Sequence, residues 1–409
     1  MQNASPAQAP DKKEPATIWN MAFITLFVTN LTFNMGQNMS NSLLPVYANA
    51  LGASAAAIGV VASSFAVSAI AFRFISSPIM DTYNRKYIVV FAALTLAVAF
   101  LGFGMSGSIT SLIGFRLVQG CGMAFGNACC LAMVSDMIPK DRYGAGIGYF
   151  SLAMVIAQAL GPSVGLWMVD KVGYSATFTM NAGIMLVTAF LAFRIKLNFT
   201  RTKKLTLSVK NVLAKEVAIP TILLLLVITG YSFGGSFLII YAREQGVTSN
   251  IGLYFTVSAV TVLITRPFLG RLTDKYGVVI VAIPALCCNV ISCFIISNAH
   301  ALWHFLVAAF IAALGSGVCQ PSLQALSMKA VAGDRRGAAS STNYLGMDFG
   351  ALFGPLLGGL VAQSLGYRMM YRFQAIPLAA CMLILFLSKK WISNTEKSFA
   401  AEARAEAGQ

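Results

Sequence analysis

Charge is scarce in this chain and negative charge scarcer still: 11 % of the 409 residues are charged, and 14 acids stand against 29 Lys and Arg. A soluble domain carries about 25 % charged residues, so an ordinary water-solvated surface is excluded. No phosphate-binding Gly-Lys-Ser/Thr loop is present, which argues against an ATP-driven enzyme. The stretch before Trp19 holds Asp11-Lys12-Lys13-Glu14 but no apolar signal-peptide core, so residues 1–17 read as a retained cytoplasmic tail. The eight cysteines all fall inside apolar segments, where they act as small fillers and give neither a disulfide framework nor a zinc site. His300 and His304 have metal-like spacing but no acidic neighbour. Neither a metal nor a cofactor is expected.

What is present is apolar: 57 % of the residues are hydrophobic. Segments of roughly 20 such residues, each able to cross a hydrocarbon core of about 30 Å, recur twelve times, near 18–42, 55–78, 87–106, 109–134, 144–168, 174–195, 217–241, 251–270, 278–298, 301–328, 338–361 and 370–388. They divide into bundles over 18–195 and 217–388, joined by a basic linker at 196–216 and followed by a charged, Ala-rich tail at 389–409 expected to be disordered or weakly helical. Assigning the loops alternately puts 22 of the 29 Lys and Arg on the side shared by both termini. That asymmetry makes both termini cytoplasmic. The net charge of +15 is therefore topological, and no nucleic-acid partner is implied.

The two bundles are one unit written twice. Arg73-Phe-Ile-Ser-Ser77-Pro-Ile-Met-Asp81-Thr-Tyr-Asn-Arg85-Lys86 ends an apolar run, and Arg266-Pro-Phe-Leu-Gly270-Arg-Leu-Thr-Asp274-Lys-Tyr-Gly277 repeats it at an offset of 193. The same offset carries Gly122 to Gly315, Arg142 to Arg335, Gly144 to Gly337, Gly161-Pro162 to Gly354-Pro355, and Gly173-Tyr174 to Gly366-Tyr367. Tandem halves of this size are the signature of a repeat-built membrane transporter.

Polar residues inside the spans are the site candidates, because each must face protein or water. In span 1, Asn30, Asn34, Gln37, Asn38 and Asn41 line one face at helical period, either bonding to neighbouring helices or lining a cavity. Asn127 in span 4, Tyr231 beside the flexible Gly234-Gly235-Ser236 of span 7, Gln320 in span 10 and Asn343 in span 11 complete the proposed substrate-facing set. Arg116 in span 4 is either a clamp on backbone carbonyls or a group for proton movement and charge balance. Asp348 lies eleven residues past Gly337, about 16 Å along a helix, which puts one carboxylate near the bilayer centre. It is either permanently paired with an Arg or a proton carrier. Gly161, Pro162 and Gly165 of span 5, with Gly350, Gly354, Pro355 and Gly358 of span 11, form flat faces for close approach, along which two helices rock.

These motifs resemble the major facilitator superfamily over essentially the whole transmembrane region. Ser77 to Lys86 is similar to its loop signature G-x-x-x-D-(R/K)-x-G-R-(R/K), with Ser77 in place of Gly; Gly270 and Asp274 keep both key positions. Arg116-Leu-Val-Gln119-Gly120-Cys-Gly122-Met-Ala124 is similar to its fourth-helix motif, and Gly350 to Gly359 to the G-x-x-x-G-P-x-x-G-G of its drug:proton antiporters, here fullest in span 11. The resemblance implies an all-α membrane protein with the MFS fold, twelve transmembrane helices in two pseudo-symmetric six-helix bundles that rock about a central site. It implies latches at Asp81 (near Gly337) and Asp274 (near Gly144), with Arg73, Arg85, Arg142, Arg266 and Arg335 in the gating set. The function expected is proton-coupled efflux of small amphiphilic molecules by a monomer in a bacterial inner membrane, with substrate, protons and lipid as partners. The absence of an acid at Gly36, Gln37 and Asn38 counts against selectivity for cationic drugs. The alternative is proton-coupled import, or facilitated transport, of a polar metabolite, with Arg116 available to an anionic group.

Overall fold

The computed structural model describes residues 20–138, 143–195, 213–247, 250–331 and 335–406. Four helices build the start of the chain: α1 (Met21–Ala50), α2 (Ala55–Thr82), α3 (Arg85–Met105) and α4 (Ile109–Met137). Each begins on a side chain that accepts from an orphan backbone N–H, namely Asn20, Ser54, Asn84 and Ser108. Next is α5 (Tyr143–Arg194), in which Gly173 takes a positive φ of 78° and folds one helix into two crossing arms. Only glycine adopts that conformation at little cost.

The second half repeats the plan. A short 3₁₀ turn (Lys215–Val217) leads into α6 (Ala218–Gly235) and α7 (Leu238–Glu244), which together make one crossing interrupted at Ser236 and Phe237. Then come α8 (Leu253–Tyr276), α9 (Val278–Ser297), α10 (Leu302–Lys329) and α11 (Arg336–Phe373), the last folded at Gly366 with φ 80°. Finally α12 (Ala375–Leu387) completes the last crossing, and α13 (Lys389–Glu406) follows it. Gly173 and Gly366 stand 193 residues apart, so the repeat read in the sequence is a repeat of hinges.

Among the described residues nine stretches are long and apolar enough to span a membrane, and two of them, Tyr149–Arg194 and Ala338–Leu387, are folded double at those glycines. Helix α1 is long enough but diluted by its Asn and Gln residues. Counting it gives the twelve crossings expected.

Two layers of contact define the ends of the bundle. At the end bearing Gly52, the Tyr47 hydroxyl donates to Ser106 O at 2.5 Å and its ring stacks on Tyr174 at 4.7 Å. Its repeat partner Tyr241 donates to Ser297 O at 3.1 Å and lies 6.3 Å from Tyr367, the counterpart of Tyr174. At the opposite end, bearing Tyr83, Lys86 lies over the rings of Tyr87 and Phe193.

The apolar core is continuous through the first half and enters the second mainly through Phe233 to Val247, Phe305, Met370 and Tyr371, residues of the Gly52 end. The second half otherwise has its own core, centred on Leu223, Leu286, Leu323 and Leu385. The halves are thus welded at the Gly52 end and separately cored toward the Tyr83 end.

The structure sharpens two expectations. The tail is not disordered over its described part: α13 buries Ile392 completely, and Glu396 Oε1 accepts from Val278 N at 3.1 Å. An apolar face docked on the bundle supplies the tertiary packing that short helices need. The glycine faces of spans 5 and 11 do not separate the halves. A Cβ at Gly161 would lie 2.8 Å from Asn38 Cβ of α1, and one at Gly350 2.7 Å from Leu225 O of α6, so these faces weld helices within each half. Gly165 meets Leu43 of α1, Gly354 meets Ser232 of α6, and Gly358 meets Phe233 of α6 in the same way. Pro162 and Pro355 lie inside α5 and α11.

Candidate functional site

Between the halves, α2 and α11 cross so closely that a Cβ on Gly59 would run into the Pro355 carbonyl, and one on Gly359 would lie 2.6 Å from Ala55 O. Nearby, Ala56 N donates to Gln363 Oε1 at 3.2 Å. The second pair of facing helices, α5 and α8, touches through Ser163 Oγ to Gly252 O at 2.9 Å and Thr256 Oγ1 to Ala159 O at 3.1 Å. All of these lie toward the Gly52 end.

Farther along α2 and α11, near mid-depth, Arg73 and Asp348 form an ion pair between the halves. The guanidinium donates through Nη2 at 2.7 Å and Nε at 3.0 Å to the same carboxylate oxygen. Both side chains are nearly buried, at 11 and 13 % exposure. Arg73 also reaches Ala124 O of α4 at 3.5 Å and lies over the Tyr344 ring at 4.9 Å. Removing one member of such a pair leaves a charge in low dielectric, a loss of about 3–5 kcal/mol.

Arg116 does not meet Asp348. Its Nε donates to Val61 O at 3.0 Å and Nη2 to Ala62 O at 2.8 Å, while Nη1 is shared by Asn41 Oδ1 at 2.8 Å and Gln119 Oε1 at 2.7 Å. Gln119 Nε2 in turn donates to Gln37 Oε1 at 2.7 Å. The ring of Phe65 lies under the guanidinium at 4.8 Å. Arg116 therefore ties α4 to α2 and α1.

The remaining candidates scatter. Asn34 bonds back to Asn30, and Asn38 to Asn34 O, so part of the α1 stripe is turned along its own helix. Asn343 joins α10 and α6 to α11 through Ser327 at 2.9 Å and Thr221 at 3.2 Å. Tyr231 accepts from Asn289 at 3.4 Å inside the second half. Gln320 lies 3.9 Å from Met347 Sδ. Asn127 is exposed on α4, and Arg266 is exposed on α8. Arg85 donates to Met80 O and Ala132 O, and Arg335 pairs with Glu216. The side chains of Asp81 and Asp274, and Arg142 entirely, lie outside the described residues. Sequence reasoning missed Gln119, Gly59 and Gly359 as contact-makers; the Gln119-Gly120 and Gly358-Gly359 pairs were visible as motif positions.

A cavity of about 170 Å³ opens between the halves, lined by Asn41 and Ser42 of α1, Ser232 and Gly235 of α6, Ser236, Ile239 of α7 and Phe255 of α8. It contains the interruption between α6 and α7. A larger groove of about 570 Å³ runs along α2, α3 and α4 and is almost wholly apolar, with Phe72, Tyr87 and Phe91 in its wall. It belongs to one half only and has the chemistry of a lipid contact.

Comparison with known proteins supplies a family for this architecture. The Major Facilitator Superfamily profile matches residues 26–249 and again 220–407. The chain belongs to the major facilitator superfamily. It is 28 % identical over 389 residues to the multidrug resistance protein MdtG of Enterobacter lignolyticus, covering 90 % of this chain and 89 % of that protein. The MdtG of Citrobacter koseri is also 28 % identical, over 86 % of this chain and 89 % of its own length. Among solved structures, a mutant of the nucleoside transporter NupG superposes with TM-score 0.73 at 13 % identity, covering 90 % of this chain and 99 % of that one. A POT family transporter in complex with 5-aminolevulinic acid superposes with TM-score 0.76 at 14 % identity, over 90 and 96 % of the two chains. As a member of the superfamily the protein is a multi-pass membrane transporter and not an enzyme.

Proposed function

We propose that this superfamily member exports small amphiphilic molecules by alternating access, driven by protons, and that Asp348 is the group that takes and releases the proton. The observation that carries the reading is the Arg73–Asp348 pair, because it is a near-buried ion pair whose members belong to different halves. Separating the halves at this level must break it, and neutralising Asp348 removes the reason for it to hold. A proton on the carboxylate and the opening of the α2–α11 contact are then linked events. The MdtG relatives support efflux.

The positive-inside asymmetry makes the Tyr83 end cytoplasmic. With the described contacts between halves running from the Gly52 end to the Arg73–Asp348 pair at mid-depth, the conformation is inward-facing. The latches at Asp81 and Asp274 belong to the opposite, outward-facing state.

The test uses liposomes containing the purified chain, with internal pH followed during substrate addition, for the native protein and Asp348→Asn. Substrate-dependent proton movement opposite to substrate flow, lost in the variant, supports the reading. Co-directional flow would favour symport of a polar metabolite, which the Asn and Ser lining of the small cavity also suits. Substrate flux without proton movement would return Asp348 to a structural role.

A further inference from the structure

The Arg116 network has a polarity that its donors and acceptors dictate. A guanidinium offers five N–H donors and no acceptor, so every atom facing it must be an oxygen. Gln119 therefore turns Oε1 toward Arg116 and Nε2 away. Gln37 must meet that Nε2 with its own oxygen, which leaves Gln37 Nε2 as the end of the chain. That nitrogen is buried and has no partner among the described residues. Asn41 is oriented by the same rule: Oδ1 is taken by Arg116, and its N–H₂ is the amide group left for the cavity it lines. Gln37 and Asn41 are four residues apart on one face of α1, about 6 Å along the helix.

The charge behind these amides is unbalanced. Arg116 is only 2 % exposed, and among the described residues its hydrogen bonds go to carbonyl and amide oxygens, with no carboxylate. The mid-depth Asp348 is matched by Arg73. A hydrogen-bond chain that starts on a cation polarises each following amide, so the terminal N–H groups are stronger donors than an isolated Asn or Gln would provide. The hydroxyls of Ser42 and Ser232 donate inward, at 2.9 Å to Asn38 O and 2.6 Å to Ile228 O. Their remaining lone pairs are neutral and do not offset a whole charge.

We infer that Arg116, held by Gln119 and Gln37, acts through Asn41 to give the cavity between the halves an electropositive amide donor that selects substrates whose polar end is anionic or acceptor-rich, such as a carboxylate or sulfonate. This deepens the transport reading above by naming the substrate class, and it runs against cationic compounds. Asn41 is the specificity-determining residue; Arg116, Gln119 and Gln37 are positioning residues.

The test is a matched series of naphthalene amphiphiles carrying sulfonate, carboxamide or trimethylammonium, with binding to the purified full chain read from the ligand dependence of its unfolding temperature. The native chain should bind the sulfonate about ten- to a hundred-fold more tightly than the ammonium compound, the range a hydrogen bond to a charged group covers. Asn41→Asp should reverse that order, and Gln37→Glu, by balancing the charge behind Asn41, should flatten it. A flat series, a preference for ammonium, or an order unchanged in both variants overturns the inference. Should Gln37→Glu fail to fold, the native series and Asn41→Asp at the half-buried cavity wall still decide it. Sulfonate preference without transport of any compound would sink the transport reading and leave the site standing. Transport of ammonium compounds without sulfonate preference would do the reverse.

Discussion

The two halves carry the same motif and use it differently. Arg73 of the first half bridges to Asp348 of the second, whereas Arg266, its counterpart 193 residues on, is exposed on α8. The position that would answer Arg266 by the same symmetry is Val155, a buried apolar residue of α5. A second asymmetry lies at the turn that follows each copy. Asn84 caps α3 with its own side chain, accepting from Lys86 N at 3.1 Å, while the matching residue before α9 is Gly277, and the acceptor comes from Glu396 of the tail. Duplication fixes the backbone plan, and single residues then decide which half holds the charge and which half borrows a cap. Among the described residues, the ion pair that joins the halves lies on α2 and α11.

Breaking the charged side of this comparison should have the largest effect. Arg73→Ala or Asp348→Ala should each lower stability by about 3–5 kcal/mol, since either leaves a buried charge unpaired. The double substitution should be less destabilised than the sum of the singles, as read from thermal unfolding in detergent; additive losses would mean the pair carries no coupling. Next comes the glycine contact. Gly59→Ala at the α2–α11 crossing should cost about 1–3 kcal/mol through overpacking and loosen the Gly52 end. Gly270→Ala has open space around it and should be close to neutral. A cysteine pair at 56 and 363 should crosslink less readily in Gly59→Ala if that end has opened. The borrowed cap is smaller: Glu396→Ala should cost about 1 kcal/mol and speed hydrogen exchange at Val278, with Lys86 unaffected. Smallest is Arg266→Gln, an exposed change expected within about 0.5 kcal/mol; a larger loss would show that Arg266 has a partner and that the halves are more alike than they look.

Much of the fold was legible because it is written in two long-range signals. Spans of apolar residues gave the crossings, and a constant offset gave the two halves, down to the hinge glycines at 173 and 366. The site was less legible, because a sequence gives depth along a helix but not rotation about it. Asp348 could be placed near mid-depth by counting from Gly337, yet its partner could not be told among Arg73, Arg116 and Arg266. Arg73 read as the edge of a loop motif, and the structure turns it inward. Arg116 was rightly seen as costly, but its hydrogen-bond acceptors are backbone carbonyls of α2 and amides of α1 and α4, which no spacing rule names. The glycine-rich faces announced close approach without saying to which helix. Tail docking was hidden because the apolar face of α13, with Trp391 and Ile392, is short and set among charges, and nothing in it names the second core as its partner.

The dilution of α1 has a consequence for biogenesis. Its Asn30, Asn34, Gln37, Asn38 and Asn41 keep it from the apolarity that the other crossings reach, although it precedes the helices that supply its partners in the chain. Alone in lipid these amides would have only one another. In the finished bundle Gln37 accepts from Gln119 on α4, Asn41 from Arg116, and Asn181 of α5 donates to the Gly36 carbonyl. The polar face of α1 is thereby completed only by helices translated after it, and the first described helix becomes the last to have its amides fully partnered.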